Sequence, residues 1–564
     1  MNNDHRLVLW GVIGAYMVLM AVAGSYYARY IRTADAFFRA GRSVPWWAAG
    51  ISIYKANFTA YTFTGIASLV YIDGLSGLLL ETGPALAFLL AALVFVPRWY
   101  RLGLTSPPEY LEARFNAPTR RVFSVLGIAT SFIASGMRLY AVSKLVESIL
   151  GLPLLPTILV AGAVMIIYTS MGGWWAVVVT DILQFLILFV AAIPLFCLAL
   201  AAVVGNGGWA EFAARMPLHF GSFPNPDHGR TLGWLLAFWF TYLLDYNGDW
   251  GVIQMICSTR TEKEAKKGLL LATGLAIPHA FLLLGPCFVA RVLWSAEIAD
   301  PALVGQAETV YGKVALKLLP AGMIGVVAAA MLAATMSTLS ISWSVRSTSL
   351  VNDLYVAIIR PRASDREKLL MGRLGVILVG GVATAVAVLV ALYSSGLFAL
   401  AQSLVGFVVI PVILPLLLGL LLKGANPWGG LAGLSAGLVW VVLNRTAPGL
   451  VGLAASLPFE YEVLISAAWI FAVMLTMGRL PATEIQRAKV DGFFGRMRQV
   501  LPDELAKTDA PSPGPVIGAL AIAVAVLIGL LSLLPQSPGD RLLTLAAALA
   551  LVVVGCAARR LKSI

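Results

Sequence analysis

Charge is scarce in this chain. Only 12% of its 564 residues are Asp, Glu, Lys or Arg, against 59% hydrophobic residues, and the mean hydropathy is +0.86. A soluble domain of this length needs a charged surface, so that class is excluded. Cysteine is sparse too. Cys197, Cys257, Cys287 and Cys556 are scattered in or beside apolar runs with no Cys-x-x-Cys spacing, which argues against a disulfide framework or zinc site. The four histidines form no His-x-x-x-His or Glu-x-x-His group, and no span pairs a His with a nucleophile. An intramembrane enzyme is therefore not expected. No segment outside the apolar runs is long enough for a catalytic domain.

What is plentiful is the apolar run of about 20 residues, the length that carries a helix across the hydrocarbon core. The reading gives about 15 transmembrane spans, at 7–28, 45–70, 77–98, 122–149, 153–171, 174–203, 232–256, 267–294, 320–355, 370–393, 395–422, 427–444, 459–478, 514–534 and 541–559. The first is too long, and too soon followed by another, for a cleaved signal peptide. Tight turns are expected at Asp73-Gly74 and Gly172-Gly173. The 53 glycines and 29 prolines suit a bundle of closely approaching, kinked helices.

A formal charge of +12 would suggest nucleic acid in a soluble protein. Here basic residues cluster after odd-numbered spans: Arg29 to Arg42, Arg98 to Arg121, Arg260 to Lys267, Arg360 to Arg373, Arg479 to Lys507 and Arg559 to Lys562. By the positive-inside rule the N-terminus is outside and the C-terminus cytoplasmic. No nucleic-acid partner is expected. The 479–513 stretch, with an amphipathic centre at 490–497 and a breaker at 511–515, reads as an interfacial helix plus linker.

Two spans carry the same defect. Span 2 is broken by Lys55-Ala-Asn-Phe-Thr-Ala-Tyr-Thr-Phe-Thr-Gly65 and span 7 by Tyr242-Leu-Leu-Asp-Tyr-Asn-Gly-Asp-Trp-Gly251. Backbone groups in lipid must be satisfied, so a span breaks only where it lines a cavity or binds something. Matched breaks in two halves mark the site of a secondary transporter. The breaks are five spans apart, and five is odd, so the second half is inverted relative to the first.

Ionisable residues deep in spans are functional candidates by default, with structural ion pairs as the plain alternative. Lys55 lies ~15 Å of helix into span 2, with Asp245 or Glu81 as possible partners. Asp245 and Asp249 repel at i, i+4 unless a cation or unwound backbone separates them. Glu81, Arg138 and Asp181 are further candidates, whereas Lys144 and Glu147 read as a local pair. Ser337, Thr338 and Ser340 crowd hydroxyls into one turn of span 9. Such hydroxyls commonly bond back to their own helix, but hard cations also want clustered neutral oxygens.

Several stretches together resemble the sodium:solute symporter family: Phe37-Phe-Arg-Ala-Gly-Arg-Ser-Val-Pro-Trp-Trp47, Thr105-Ser-Pro-Pro-Glu-Tyr-Leu-Glu-Ala-Arg-Phe115, Gly172-Gly-Trp-Trp-Ala-Val-Val-Val-Thr-Asp-Ile-Leu-Gln184, the Ser337-Thr338 region closing at Asn352-Asp-Leu-Tyr355, and 417–428. Their order and spacing cover residues 5 to 500. The resemblance implies an all-α LeuT-like bundle of two inverted five-helix repeats, at 45–204 and 205–423, with extra N- and C-terminal helices. The segments 1–44, 424–478, 479–513 and 514–564 flank and extend that core. It also implies sodium-coupled symport of a small polar organic solute by alternating access, in a plasma or inner membrane, with Na⁺ as the coupling ion and a monomer as the working unit.

Residue by residue, the family's sodium site would fall on the carbonyls of Lys55, Phe58 and Ala334 and the hydroxyls of Ser337 and Thr338. A second site would use Asp181, Ser337 and Ser340, but Ile341 stands where that site has a hydroxyl. Substrate positions would be Asn57, Thr62, Glu81, Arg138, Tyr242, Asp245, Asp249 and Gln402. Glu81 and Gln402 are retained. Thr62 stands for an amide, Tyr242 and Asp245 for a sugar-binding asparagine and a gating tyrosine, and Gly274 for a sugar-binding lysine, so a sugar is not implied. The mixed charge fits a zwitterion, a carboxylate or a polyol. Lys55 fits least, because an ammonium about 4 Å from Na⁺ costs about 1–4 kcal/mol. It could pair away with an acid, lose its proton, or take the cation's place and make transport proton-coupled or uncoupled. A transporter-fold sensor would need an attached signalling domain, and none is expected after residue 564.

Overall fold

The computed structural model describes residue 18 and residues 42–56, 59–103, 108–301, 304–393, 405–424, 426–451, 456–499, 513–532 and 537–560. The first span, Asn57, Phe58 and Gln402 lie outside them. Among the described residues eight helices are long and apolar enough to cross a membrane, and three shorter apolar helices accompany them.

Both expected breaks are present. Span 2 is helical over Trp46–Ala56 and resumes as a π-helix at Thr62–Ile66 and an α-helix at Ala67–Asp73. The Ala60 N–H left over at the break donates to Thr335 Oγ1 in span 9 at 2.8 Å, which is how an interrupted backbone survives away from water. Span 7 runs over Leu232–Gly248 and again over Trp250–Ser258. Asp249 makes that second break. Its backbone is extended and its carboxylate accepts from Val252 N at 2.9 Å, capping the second half. A third interruption has no sequence signature as clear. Span 3 pauses at Glu81 and Thr82 between Leu75–Leu80 and Gly83–Leu90, and the Leu79 carbonyl accepts from Thr82 N, Thr82 Oγ1 and Trp239 Nε1.

Helix packing reveals the inverted repeat. Span 2 packs on span 8 (Glu262–Leu293), and its counterpart span 7 packs on span 3. Span 4 (Ala117–Leu150) packs on span 10 (Asp365–Tyr393), as span 9 (Ala321–Ser349) packs on the helix holding span 5. Exchanging the two sets of five turns each contact into the other. That reciprocity is the two-fold of an inverted-repeat bundle.

Two local expectations change. Helical bonding continues through Gly172 and Gly173, so spans 5 and 6 form one element, Leu154–Gly205, where a turn was expected. The turn at Gly74 is present, at φ 61°, and a Cβ there would meet Phe220 O at 2.0 Å. The 479–513 stretch contains a helix, Glu484–Arg498, opened by a Thr483/Gln486 capping box. Its apolar side is not left for lipid. Val490, Phe493 and Met497 are buried against the C-terminal end of span 3 and the short helix Glu109–Arg114. Lys489 Nζ donates to Glu112 O and Phe115 O, and Lys423 pairs with Asp491 at 2.8 Å, holding that carboxyl below the usual carboxylate range. An apolar stripe does not say whether protein or lipid will cover it. The last two helices, Pro513–Leu531 and Pro538–Arg560, pack on each other and on Leu154–Gly205.

A close backbone crossing joins span 2 to span 8. A Cβ on Gly50 would lie 2.5 Å from the Gly268 carbonyl oxygen, and backbone cannot yield as a flexible side chain can. Gly50→Ala should therefore cost about 1–3 kcal/mol, read as a lowered midpoint of thermal unfolding. Gly274→Ala, with nothing within 4 Å of its Cβ, should leave the midpoint unchanged.

Candidate functional site

The breaks in spans 2 and 7 and the interruption in span 3 open on one cavity of about 310 Å³. Spans 4 and 9 close it from the other side. Its walls carry opposite charge. Glu81, Asp245 and Asp249 come from spans 3 and 7, and Arg138 and Arg346 from spans 4 and 9. Asp245 lies within electrostatic reach of both arginines. Yet among the described residues neither guanidinium is within 4.0 Å of a carboxylate. Arg346 instead lies over the Trp250 ring at 3.8 Å, with Nε and Nη1 enclosed and making no hydrogen bond. Opposed charges held apart across a void suit a guest that meets both.

Thr62, Glu81, Arg138, Tyr242, Asp245 and Asp249 all line this cavity. Glu81 is buried, accepts from Tyr242 OH at 3.2 Å and faces His279 Nε2 at 3.6 Å. Gly274 is exposed on span 8 and does not line the cavity. The buried residue of span 8 that faces Glu81 is His279. Sequence reasoning misses Arg346 and His279, although the rule that singles out Lys55 applies to both, since each is ionisable and lies within an apolar span. Lys144 and Glu147 form the local pair expected, at 2.7 Å.

The second cluster lies between spans 2, 6 and 9, beside the cavity. Asp181 is fully buried and accepts from Ser337 Oγ on one oxygen and Ser52 Oγ on the other. Thr338 Oγ1, which also lines the cavity, faces Ala56 O at 3.5 Å. Thr169 Oγ1 donates to Ser340 Oγ at 3.1 Å, and Ser340 Oγ donates to Met336 O at 2.8 Å. Lys55 does not pair with Asp245 or Glu81. Its Nζ lies 3.8 Å from Asp181 Oδ1, in a pair closed to solvent. The reach of a lysine stem from a broken helix cannot be read from spacing, which is why the expected partners differ from the observed one. Of the resemblance's ligand set, Thr338 faces the carbonyl end of Trp46–Ala56, whereas Ser337 turns its hydroxyl to Asp181.

The family profile of the sodium:solute symporters matches residues 37–437, well over half of the chain. The chain belongs to the sodium:solute symporter family. Over 503 residues it is 27% identical to a sodium/glucose cotransporter of Vibrio parahaemolyticus, covering 84% of this chain and 91% of that one. It is 30% identical to the human sodium/myo-inositol cotransporter 2 over 448 residues, which is 73% of this chain and 66% of the human protein. Its fold is similar to that of a Na⁺-coupled sialic acid symporter in a substrate-bound outward-open state, with a TM-score of 0.73 at 24% identity over 84% of this chain and 98% of the other. A nucleobase-cation-symport-1 family transporter shares the fold more distantly, with a TM-score of 0.52 at 13% identity over 81% and 98%. This symporter is thus a multi-pass membrane protein that couples a small solute to Na⁺.

Among the described residues Asp245 and Asp249 line the cavity with no cation within ion-pair distance, so neutralising them should alter binding and leave folding alone. Asp245→Asn and Asp249→Asn are each expected to weaken solute affinity about 10- to 100-fold at unchanged yield. Wild-type affinity in both variants, measured by Na⁺-dependent uptake, would place the solute elsewhere.

Proposed function

We propose that the solute of this symporter is a small zwitterion held between the two charged walls. Its carboxylate lies against Arg138 and Arg346, and its cationic group against Asp245, with Glu81 and Asp249 completing the acidic side. The observation that carries this reading is the segregation of charge, with carboxylates on spans 3 and 7 and guanidiniums on spans 4 and 9. A sugar or polyol would leave Arg138, Arg346, Asp245 and Asp249 without an ion-pair partner in the cavity, which is costly. The relatives named for glucose and myo-inositol give no reason to expect such a solute; the charges of this chain do.

Na⁺ would bind where the break of span 2 meets span 9, on the carbonyls of Lys55, Phe58 and Ala334 and the hydroxyls of Ser337 and Thr338. Ser337 donates its proton to Asp181, so its lone pairs remain for a cation. Bound ion and solute would stabilise one packing of spans 2, 3, 7 and 8 against spans 4, 5, 9 and 10, and the set would rock between outward and inward openings. The driving energy is the ion's, about 2.3 kcal/mol per unit charge and 100 mV. The protein would lie in the cell's inner (plasma) membrane, as a monomer, with its N-terminus outside and its C-terminus and the 479–513 stretch in the cytoplasm.

A thermal-shift screen with and without Na⁺ tests the reading, because anything that binds the folded state raises its melting temperature. Amino acids and betaines should stabilise the protein in Na⁺. The matching amines, deaminated acids, sugars and polyols should not. In Ser337→Ala/Thr338→Ala the Na⁺ dependence should vanish while the fold persists. Stabilisation by a polyol in place of a zwitterion would overturn the solute assignment and leave sodium coupling standing.

The orientation has its own test. A cysteine introduced in 500–510 should be labelled by an impermeant maleimide only after the membrane is opened, and labelling of intact cells would reverse the topology.

A further inference from the structure

We infer that the Lys55 ammonium is a tethered cation that permanently fills the place at Asp181, so that this transporter binds a single Na⁺. The inference rests on the sodium-coupled reading and adds its stoichiometry. A carboxylate sealed from water needs one compensating positive charge close by. Asp181 is fully buried, and Lys55 Nζ stands 3.8 Å from its Oδ1. Both carboxylate oxygens accept further bonds from within the chain, from Ser337 and Ser52.

With the ammonium in place, Ser340, one turn beyond Ser337, is engaged within the chain. It donates to Met336 O and accepts from Thr169. A mobile cation arriving at Asp181 would meet an ammonium a few ångströms away, and their repulsion in an enclosed site exceeds that in water. The ammonium is attached to the chain and cannot be released to either side. Asp181 therefore forms a closed, neutral pair, and a Na⁺ between the break of span 2 and Ser337 and Thr338 faces no uncompensated charge. The lysine that fits the family's pattern least becomes compatible with sodium because its carboxylate partner cancels it.

The test is the number of radioactive sodium ions bound per purified, solute-free transporter. Wild type should bind one. Lys55→Met leaves Asp181 without its counter-charge and should recruit a second ion. Lys55→Met/Asp181→Asn, neutral at both positions, should return to one. Two ions on wild type, or one on a folded Lys55→Met, would overturn the inference. No ion on wild type would instead remove sodium coupling itself. Where Lys55→Met does not survive purification, Asp181→Asn decides. It exposes the sodium site to an unbalanced ammonium and should weaken Na⁺ affinity about tenfold or more, with recovery in the double variant. Unchanged affinity in Asp181→Asn would count against the tethered cation.

Discussion

A backbone that leaves helical geometry inside hydrocarbon must find other partners for its N–H and C=O groups. In this symporter each interruption finds them on a neighbouring span or on a side chain at the break itself. The Ala60 N–H of span 2 goes to Thr335 of span 9. The free end of span 7 is capped by Asp249 from within the break. The Leu79 carbonyl of span 3 is taken by Thr82 and by Trp239 of span 7. These bonds fix where chain polarity can exist at mid-membrane, and so fix where a cavity can form. The charged side chains gather there because that is where a charge can be tolerated.

From that constraint the division of labour follows. Spans 3 and 7 bring carboxylates to the cavity and spans 4 and 9 bring guanidiniums. Helices that share a sign pack on each other, span 3 with span 7 and span 4 with span 9. Charges of opposite sign thus face across the boundary along which the proposed rocking would take place. A guest carrying both signs would relieve both walls at once, whereas a guest of one sign would leave one wall uncompensated. Selectivity and closure then draw on the same charges.

The breaks are legible in the sequence because a polar, glycine-containing stretch inside an apolar run seldom arises unless the helix is interrupted there. So are the acids that line the cavity, since Glu81, Asp245 and Asp249 stand out against leucine and glycine. The interruption at Glu81 is not, because a carboxylate next to Thr82-Gly83 also reads as the start of a helix. The continuation through Gly172-Gly173 is hidden for the opposite reason: glycine permits a turn without requiring one. Arg346 is obscured by a Ser-rich run whose hydroxyls are the more conspicuous signal. Its Trp250 partner lies on another span, and only the fold brings the two to 3.8 Å.

Lys55 illustrates what sequence spacing cannot reach. Its depth in span 2 is plain from the chain, but its partner depends on the path of a four-carbon stem leaving a broken helix. The two acids expected as partners, Asp245 and Glu81, line the cavity, and the lysine goes instead to Asp181. Three elements therefore meet at one carboxylate: Ser52 and Lys55 from span 2, Ser337 from span 9, and Asp181 itself from span 6. A rearrangement that separates span 2 from span 9 must break that cluster or carry it along whole. Because a buried carboxylate left alone is strongly unfavourable, the second course costs less. The cluster ties Trp46–Ala56 to spans 6 and 9, so the proposed rocking would pivot at Asp181 and open along the cavity, where the charges are already held apart.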